Sequence, residues 1–583
     1  MNGKRNRLND KHRFILISAI YFLLQFALIR KIIGTSLFAY VLVLLTGLYG
    51  LILWVNTYGK NSLHEIKDQK LKSLLYFLIF CVSLGITYGV FRNHTEDKLF
   101  VEVYSVIVPS VDILLFFFFF SAFEWHISYK NIFLVSNLVL GIAMMMYIPP
   151  GEVPDEQDHI NAAFYVSNKI MHLNENHYNV LQKDEAAVAS HFYAKSACHS
   201  YDTYNVYLNE LFSSDRDNEL VKYSLDGYAG DEILYFMPAI GITLGRAVDL
   251  SAYSTILLGR LFNFLFYTLL TYISFSILPI GQSMLFAVTL LPMTLQQVMS
   301  VSYDVPLFAF SFLAFSLTLH NIYKSEKYDK KDLIVSILIF ILMFNIKSHA
   351  YFLIGMMPLL VIIQRYLSTH LTSKTKKIIK WSLIVLLLAV VVLYAVLYLN
   401  GTIASMRYTP DMTDWHGAID LQESYSIGYC LKHPAATVWL MLNTLICNTN
   451  TYYRQMIGSE LGWLSIELPS TCINIISILL LLSTFKVEGD DAHFLDHQIT
   501  HLILVVCVLT ICFIFGGMAI GWTPVTYDVV MGVQGRYFIP VLPFMYILLK
   551  KVHITAGHSF ENMLVFMMGM ISAITVSILI IAL

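Results

Sequence analysis

An all-α polytopic membrane protein is the fold class predicted by three features of the sequence. Apolar runs recur along the whole chain at the length of a span, which takes about 20 residues. Charge is scarce: 13% of the 583 residues are charged and 57% are hydrophobic, where soluble domains carry about 25% charged residues. Lys and Arg also gather in short clusters between the apolar runs. No polar linker divides the chain into soluble domains, and no basic tract suits a nucleic acid. The net charge of −2 points to no partner.

Each run is read as a helix, because lipid offers backbone polar groups no other partner. About 15 spans are predicted, at 14–33, 36–55, 72–91, 103–123, 132–149, 254–275, 280–298, 304–322, 333–347, 351–366, 380–400, 471–485, 500–520, 536–549 and 562–582. The basic start Lys4, Arg5, Arg7, Lys11, His12, Arg13 resembles the charged region of a signal peptide. No small-residue cleavage site follows, and the run continues into Arg30 and Lys31, so it is read as an uncleaved span.

Clusters of Lys and Arg orient the spans. Those at Lys60–Lys72, Lys324–Lys331, Lys374–Lys380 and Lys550–Lys551 belong in the cytoplasm, with the N-terminus. Counting forward from the N-terminus places the loop 150–253 outside, and so does counting backward from 323–332. The counts agree only if the apolar segment 233–248 does not cross. It holds Pro238, Gly241 and Gly245 and is predicted as an amphipathic helix at the outer interface, a short true span being the alternative. A second outer region is 401–470. The organisation is then a four-span extension (1–131), a membrane core with both outer loops (132–550) and a C-terminal span (551–583). The N-terminal block shows few intramembrane charges. Cys198, if outside, has Cys430 or Cys447 as possible disulfide partners.

The segment PPGEVPDEQDH, from Pro149 to His159, puts four carboxylates within seven residues where a span ends. Its prolines hold an extended backbone before a helix begins. One reading is a capped surface helix whose carboxylates complement the macrodipole. The other gives Asp155 a chemical role as base or ligand, with His159 one turn on and facing the same site. Crowding of the carboxylates would raise their pKa values. A zinc protease is disfavoured by the absence of an HExxH order.

Asp304 lies at the mouth of another span, either capping it or serving the same site. Lys347, between two closely spaced spans, snorkels to the interface or meets an anion. Arg260, Arg454 and Arg536 fall near the same face, as interfacial anchors or as phosphate ligands, for which the guanidinium fork is suited. In TYYRQMIGSELGWL, Trp463 is placed to stack on a sugar or to join an interfacial aromatic belt.

Taken in order, VPDEQDH, YFMPAIGITLGR, LLGRLFN, SVSYD, KSHAY, YYRQMIGSELGWL and GVQGRYFIPVLP resemble the predicted membrane proteins of domain-of-unknown-function family 2142, over about 140–550. That family looks like a branch of the GT-C glycosyltransferases. The resemblance implies a GT-C-like helical bundle whose two large extracytoplasmic loop regions carry interfacial helices. It implies transfer of a sugar from a polyprenyl-phosphate donor to a surface glycan or glycopolymer, at the outer face of the plasma membrane. It makes Asp155, with Glu156 beside it, the acidic catalytic pair, and Asp304 a second acidic position. His159, Arg260, Lys347, Arg454, Trp463 and Arg536 complete the expected substrate-binding set. A divalent metal on Asp155 and Asp304 is left open, because GT-C enzymes differ in metal dependence. The four extra N-terminal spans depart from the pattern. A transporter or flippase of lipid-linked saccharides is a second class, disfavoured by polar residues gathered at one face and by the lack of a repeat. A non-catalytic membrane assembly partner is a third.

Overall fold

A computed structural model describes residues 2–30, 32, 39, 41–43, 45–50, 70–93, 98–123, 128–173, 179–194, 201–211, 213, 216–223, 232–323, 330–344, 346–347, 349–370, 396, 412–413, 422–487, 495, 497–550 and 555–581. The predicted span 380–400 apart from Val396, half of 36–55, the basic loop 324–329 and Cys198 lie outside these residues. Cys430 and Cys447 carry free thiols.

The fold is built from helices, and among the described residues the strands form only two-stranded pairs. Among the described residues, six helices are long and apolar enough to cross a bilayer: Lys70–Thr87, Tyr129–Tyr147, Ala252–Ile277, Asp304–Tyr323, His497–Ile520 and Ser559–Leu579. The sequence predicts more, and the differences have local causes. The run 280–298 breaks into two short buried helices, Gln282–Thr289 and Pro292–Val298. Pro292 starts the second, where a missing N–H is harmless, but it prevents one continuous helix. The run 536–549 is a 3-10 turn, Gly535–Phe538, followed by an eight-residue helix, Leu542–Leu549.

Within 401–470 lies a 24-residue helix, Pro434–Ile457, that the sequence reading misses. Its Asn and Thr residues interrupt the apolar run, yet Val438, Trp439, Leu442, Leu445 and Ile446 make an exposed apolar stripe.

The segment 233–248 forms a 3-10 turn and the helix Phe236–Ala247. Twelve residues cover about 18 Å, short of a hydrocarbon core about 30 Å thick. The helix packs on Ala252–Ile277 and on Glu156–Ile170. Gly241 and Gly245 allow this approach: a Cβ on Gly241 would stand 2.3 Å from the Leu258 carbonyl oxygen. The long helix beneath is capped by Ser251, whose hydroxyl accepts from the Ser254 amide. Arg246 is buried and donates to Glu185 and Asn168, tying the loop's helices to one another.

Asp304–Tyr323 packs between Ala252–Ile277 and Phe352–His370, which in turn meets His497–Trp522. The C-terminal helix His558–Ile581 packs on Lys70–Asn93, Lys98–Ser121 and Tyr129–Tyr147, so it joins the N-terminal extension to the core. The extension holds one buried acid that the sequence reading passes over: Asp112 accepts a hydrogen bond from Gln25.

Gly241→Ala should cost about 1–3 kcal/mol, the usual range for overpacking, because the obstacle is backbone and not a side-chain tip. Thermal unfolding in detergent measures it; an unchanged midpoint would mean that the two helices separate freely.

Candidate functional site

The site forms where four non-helical stretches meet at one end of the bundle. The first is the bend after Tyr129–Tyr147. Gly151 turns it at φ 87°, and the Gly151 amide donates to Glu156 Oε2 at 2.9 Å. Arg260, fully buried in the neighbouring helix, donates to the carbonyls of Ile148 (2.6 Å) and Pro149 (2.8 Å) and to Glu156 Oε1 (2.7 Å). Glu156 Oε1 also accepts from the Val301 amide at 3.1 Å. Glu156 and Arg260 therefore satisfy each other and the local backbone. The sequence reading has Glu156 share the chemistry and Arg260 meet substrate; the structure places both in this buried pair.

Asp155 points the other way. It stands at the helix N-cap with φ 63°, a left-handed conformation, and makes no side-chain capping bond. The plain capping reading thus fails. The carboxylate instead accepts a hydrogen bond from Arg536 Nη2. Asp155 is 44% exposed at the side chain, while Arg536 is 3% exposed. Two of the other carboxylates have partners of their own: Glu156 meets Arg260, and Glu152 accepts from Thr203.

Arg536 continues to Asp304, with Nε 3.1 Å from Oδ2, and Lys347 Nζ lies 2.7 Å from Asp304 Oδ1. Asp155, Arg536, Asp304 and Lys347 thus form a chain of alternating charge, drawn from residues 381 apart in sequence at the extremes. Lys347 also has positive φ, 47°, a conformation that costs energy in a non-glycine residue. Its ammonium sits 3.7 Å above the Tyr537 ring and 5.3 Å from that of Tyr303. Tyr351 donates its hydroxyl proton to the Tyr537 carbonyl at 2.8 Å.

His159 is buried one turn beyond Asp155. Its Nδ1 shares a 2.8 Å hydrogen bond with the Tyr235 hydroxyl, and its ring meets Tyr303 edge-on at 4.6 Å. Burial lowers its pKa to about 4, with Asp155 and Asp304 opposing, so it is neutral near pH 7. Lys347 is lowered to about 8, chiefly by burial, with Asp304 opposing. Burial alone would lower Arg536, but Tyr537, Asp155 and Asp304 more than reverse it.

Tyr235, Tyr303, Tyr351 and Tyr537 are the residues that the sequence reading overlooks. Two were legible: Tyr303 precedes Asp304 and Tyr537 follows Arg536. Arg454 and Trp463 are placed elsewhere. Arg454 donates to Ser470. Trp463 is half-buried on the turn joining Glu460–Leu461 to Ile466–Glu467, a hairpin fixed to Gln296 through both backbone groups of Gly462.

A divalent metal does not fit here. Asp155 Oδ2 and both oxygens of Asp304 already face a guanidinium or an ammonium, whose charge opposes a cation. Among the described residues no group of three or more His, Cys, Asp or Glu is placed to hold a metal.

Long apolar helices packed into a bundle with an ion cluster at one end define a multi-span membrane protein. Residues 138–545 match the family described as "Predicted membrane protein (DUF2142)". The chain belongs to that family. Comparison with curated proteins and with solved structures gives no match.

Two outcomes follow. Glu156→Gln leaves the buried Arg260 charge uncompensated and should cost about 3–5 kcal/mol, while the half-exposed Asp155→Asn should cost less than about 1 kcal/mol. Thermal unfolding of both variants in detergent separates the roles, and equal losses would refute them. Lys347 is cationic below about pH 8 and neutral above it. A phosphate monoester is already a dianion there, its second pKa being about 6. Binding of such a ligand should therefore weaken as pH rises through about 8, and Lys347→Arg should flatten the profile. His159, at about 4, and Tyr537, at about 12, titrate outside this window.

Proposed function

We propose that this protein is an inverting glycosyltransferase of GT-C type. It moves a sugar from a polyprenyl-phosphate donor to a surface glycan or glycopolymer. The N-terminus is cytoplasmic, and the reaction takes place at the outer face of the plasma membrane. The observation that carries the reading is the convergence of Asp155, Arg536, Asp304 and Lys347: a half-exposed carboxylate beside a buried guanidinium and a partly buried ammonium at one end of a membrane bundle. That pairing suits an acid–base group next to a leaving phosphate.

The chemistry follows from these positions. The acceptor hydroxyl approaches Asp155, which takes its proton. The hydroxyl oxygen attacks the anomeric carbon from the face opposite the phosphate. The carbon–oxygen bond to the phosphate breaks, and its electron pair leaves with the lipid phosphate. Arg536 and Lys347 stabilise the charge that develops there. Asp304 holds both cations in position and needs no direct contact with substrate. Arg260 drops out of the phosphate-binding set because its donors are committed. His159, neutral and fixed by Tyr235, is a hydrogen-bonding partner for a sugar hydroxyl and not a cation.

Mass analysis of surface glycans from a deletion strain tests the reading. Complementation with the wild-type chain should restore the missing sugar. Asp155→Asn, at equal membrane level, should restore none. Full restoration by Asp155→Asn would exclude Asp155 as the base.

A further inference from the structure

The three nitrogens of the Arg536 guanidinium differ in their surroundings. Nη2 donates to Asp155, and Nε lies 3.1 Å from Asp304 Oδ2. Nη1 is buried with no acceptor among the described residues. A buried donor without an acceptor is costly and calls for an explanation. An anionic oxygen supplied by a ligand is the explanation that suits a guanidinium, whose fork favours two oxygens of one phosphate at once. A phosphate that takes Nη1 reaches most naturally for Nη2 as its second donor. Asp155 now occupies that donor.

Asp155 is also the member of the cluster best able to leave. Its side chain is 44% exposed, against 2% for Asp304. Its carboxylate makes no bond to its own helix, and Arg536 is the one partner that carboxylate has among the described residues. Asp304, held between Arg536 and Lys347, has no such freedom.

We propose that Asp155 and the phosphate of the ligand compete for Arg536, so that the arriving phosphate releases Asp155 to take the acceptor's proton. The inference rests on the anion-binding reading of the site given above and adds an order to it. The donor binds first, and only then is the carboxylate free for the acceptor. In the resting chain the same ion pair keeps Asp155 engaged.

Titration of the full-length protein in detergent tests the exchange. Three probes are needed: farnesyl monophosphate, farnesol, which has the chain without the charge, and inorganic phosphate, which has the charge without the chain. Asp155→Asn should bind farnesyl monophosphate about threefold tighter than wild type, the scale that a half-exposed ion pair supports. Its affinity for farnesol should not change. A matching gain for inorganic phosphate assigns the competition to the phosphate group alone, and a gain confined to farnesyl monophosphate assigns it to a lipid-anchored phosphate. Asp158→Asn removes one acidic charge from the same helix and should have no such effect. Asp155→Ala gives the same test by complete truncation, and thermal unfolding verifies that each variant is folded. An unchanged or weakened affinity in both Asp155 variants overturns the competition while leaving the anion site standing. An equal gain from Asp158→Asn also overturns it, by reducing the effect to a general field. Wild type and Asp155→Asn that both fail to bind either phosphate probe overturn the anion site together with the exchange.

Discussion

Arg260 and Glu156 meet with no solvent exposure on either side chain. Charges so buried persist only when their remaining donors and lone pairs are also satisfied. Here they are. Arg260 serves two carbonyls at the end of the Tyr129–Tyr147 helix, and Glu156 accepts from the amides of Gly151 and Val301. One ion pair thereby joins the bend 148–156, the helix Ala252–Ile277 and the bend at 300–303 that leads into Asp304. Irregular backbone inside a membrane protein needs this kind of internal satisfaction. Because Glu156 is drawn inward, the residue before it is turned outward. The position of Asp155 is a consequence of its neighbour's burial.

The cluster that Asp155 joins is balanced, two acids against two bases. It lies among tyrosines, and their rings limit water around Lys347 and Arg536. A site of low effective dielectric strengthens each charge–charge contact. It also penalises a lone ammonium, which is why burial leads the forces that lower Lys347. Removing one member would unbalance the rest, whereas an incoming anion would shift the balance without exposing any member to water.

Much of this was legible in the sequence. Spans with long uninterrupted apolar runs, such as His497–Trp522, announce themselves. Asp155, Asp304, Lys347 and Arg536 each lie next to a Pro- or Gly-containing boundary or between two spans, and the charge pattern alone assigns them to one face. Less legible was anything that depends on which neighbour a residue finds. Asp155 and Glu156 are adjacent acids of nearly equal reach, and only the position of Arg260, over a hundred residues away, assigns one inward and the other outward. The helix Pro434–Ile457 was hidden because its apolar residues form a stripe and not a run. The break at Pro292 fell inside a run whose composition reads as continuous.

Ion pairs buried in a helical bundle are often no more than structural, and an apolar replacement of similar volume can be equally stable. The protein holds its own comparison. In the Glu156–Arg260 pair every nitrogen and oxygen has a partner, and neither side chain reaches solvent. In the Asp155–Arg536 pair Nη1 has no acceptor among the described residues, the carboxylate is half in solvent, and Asp155 takes a left-handed backbone that a capping role would not demand. Each joins an arginine to a carboxylate, and the two acids are adjacent in the chain. That asymmetry is what the proposed exchange of Asp155 for an anion requires, and the Glu156–Arg260 pair lacks it.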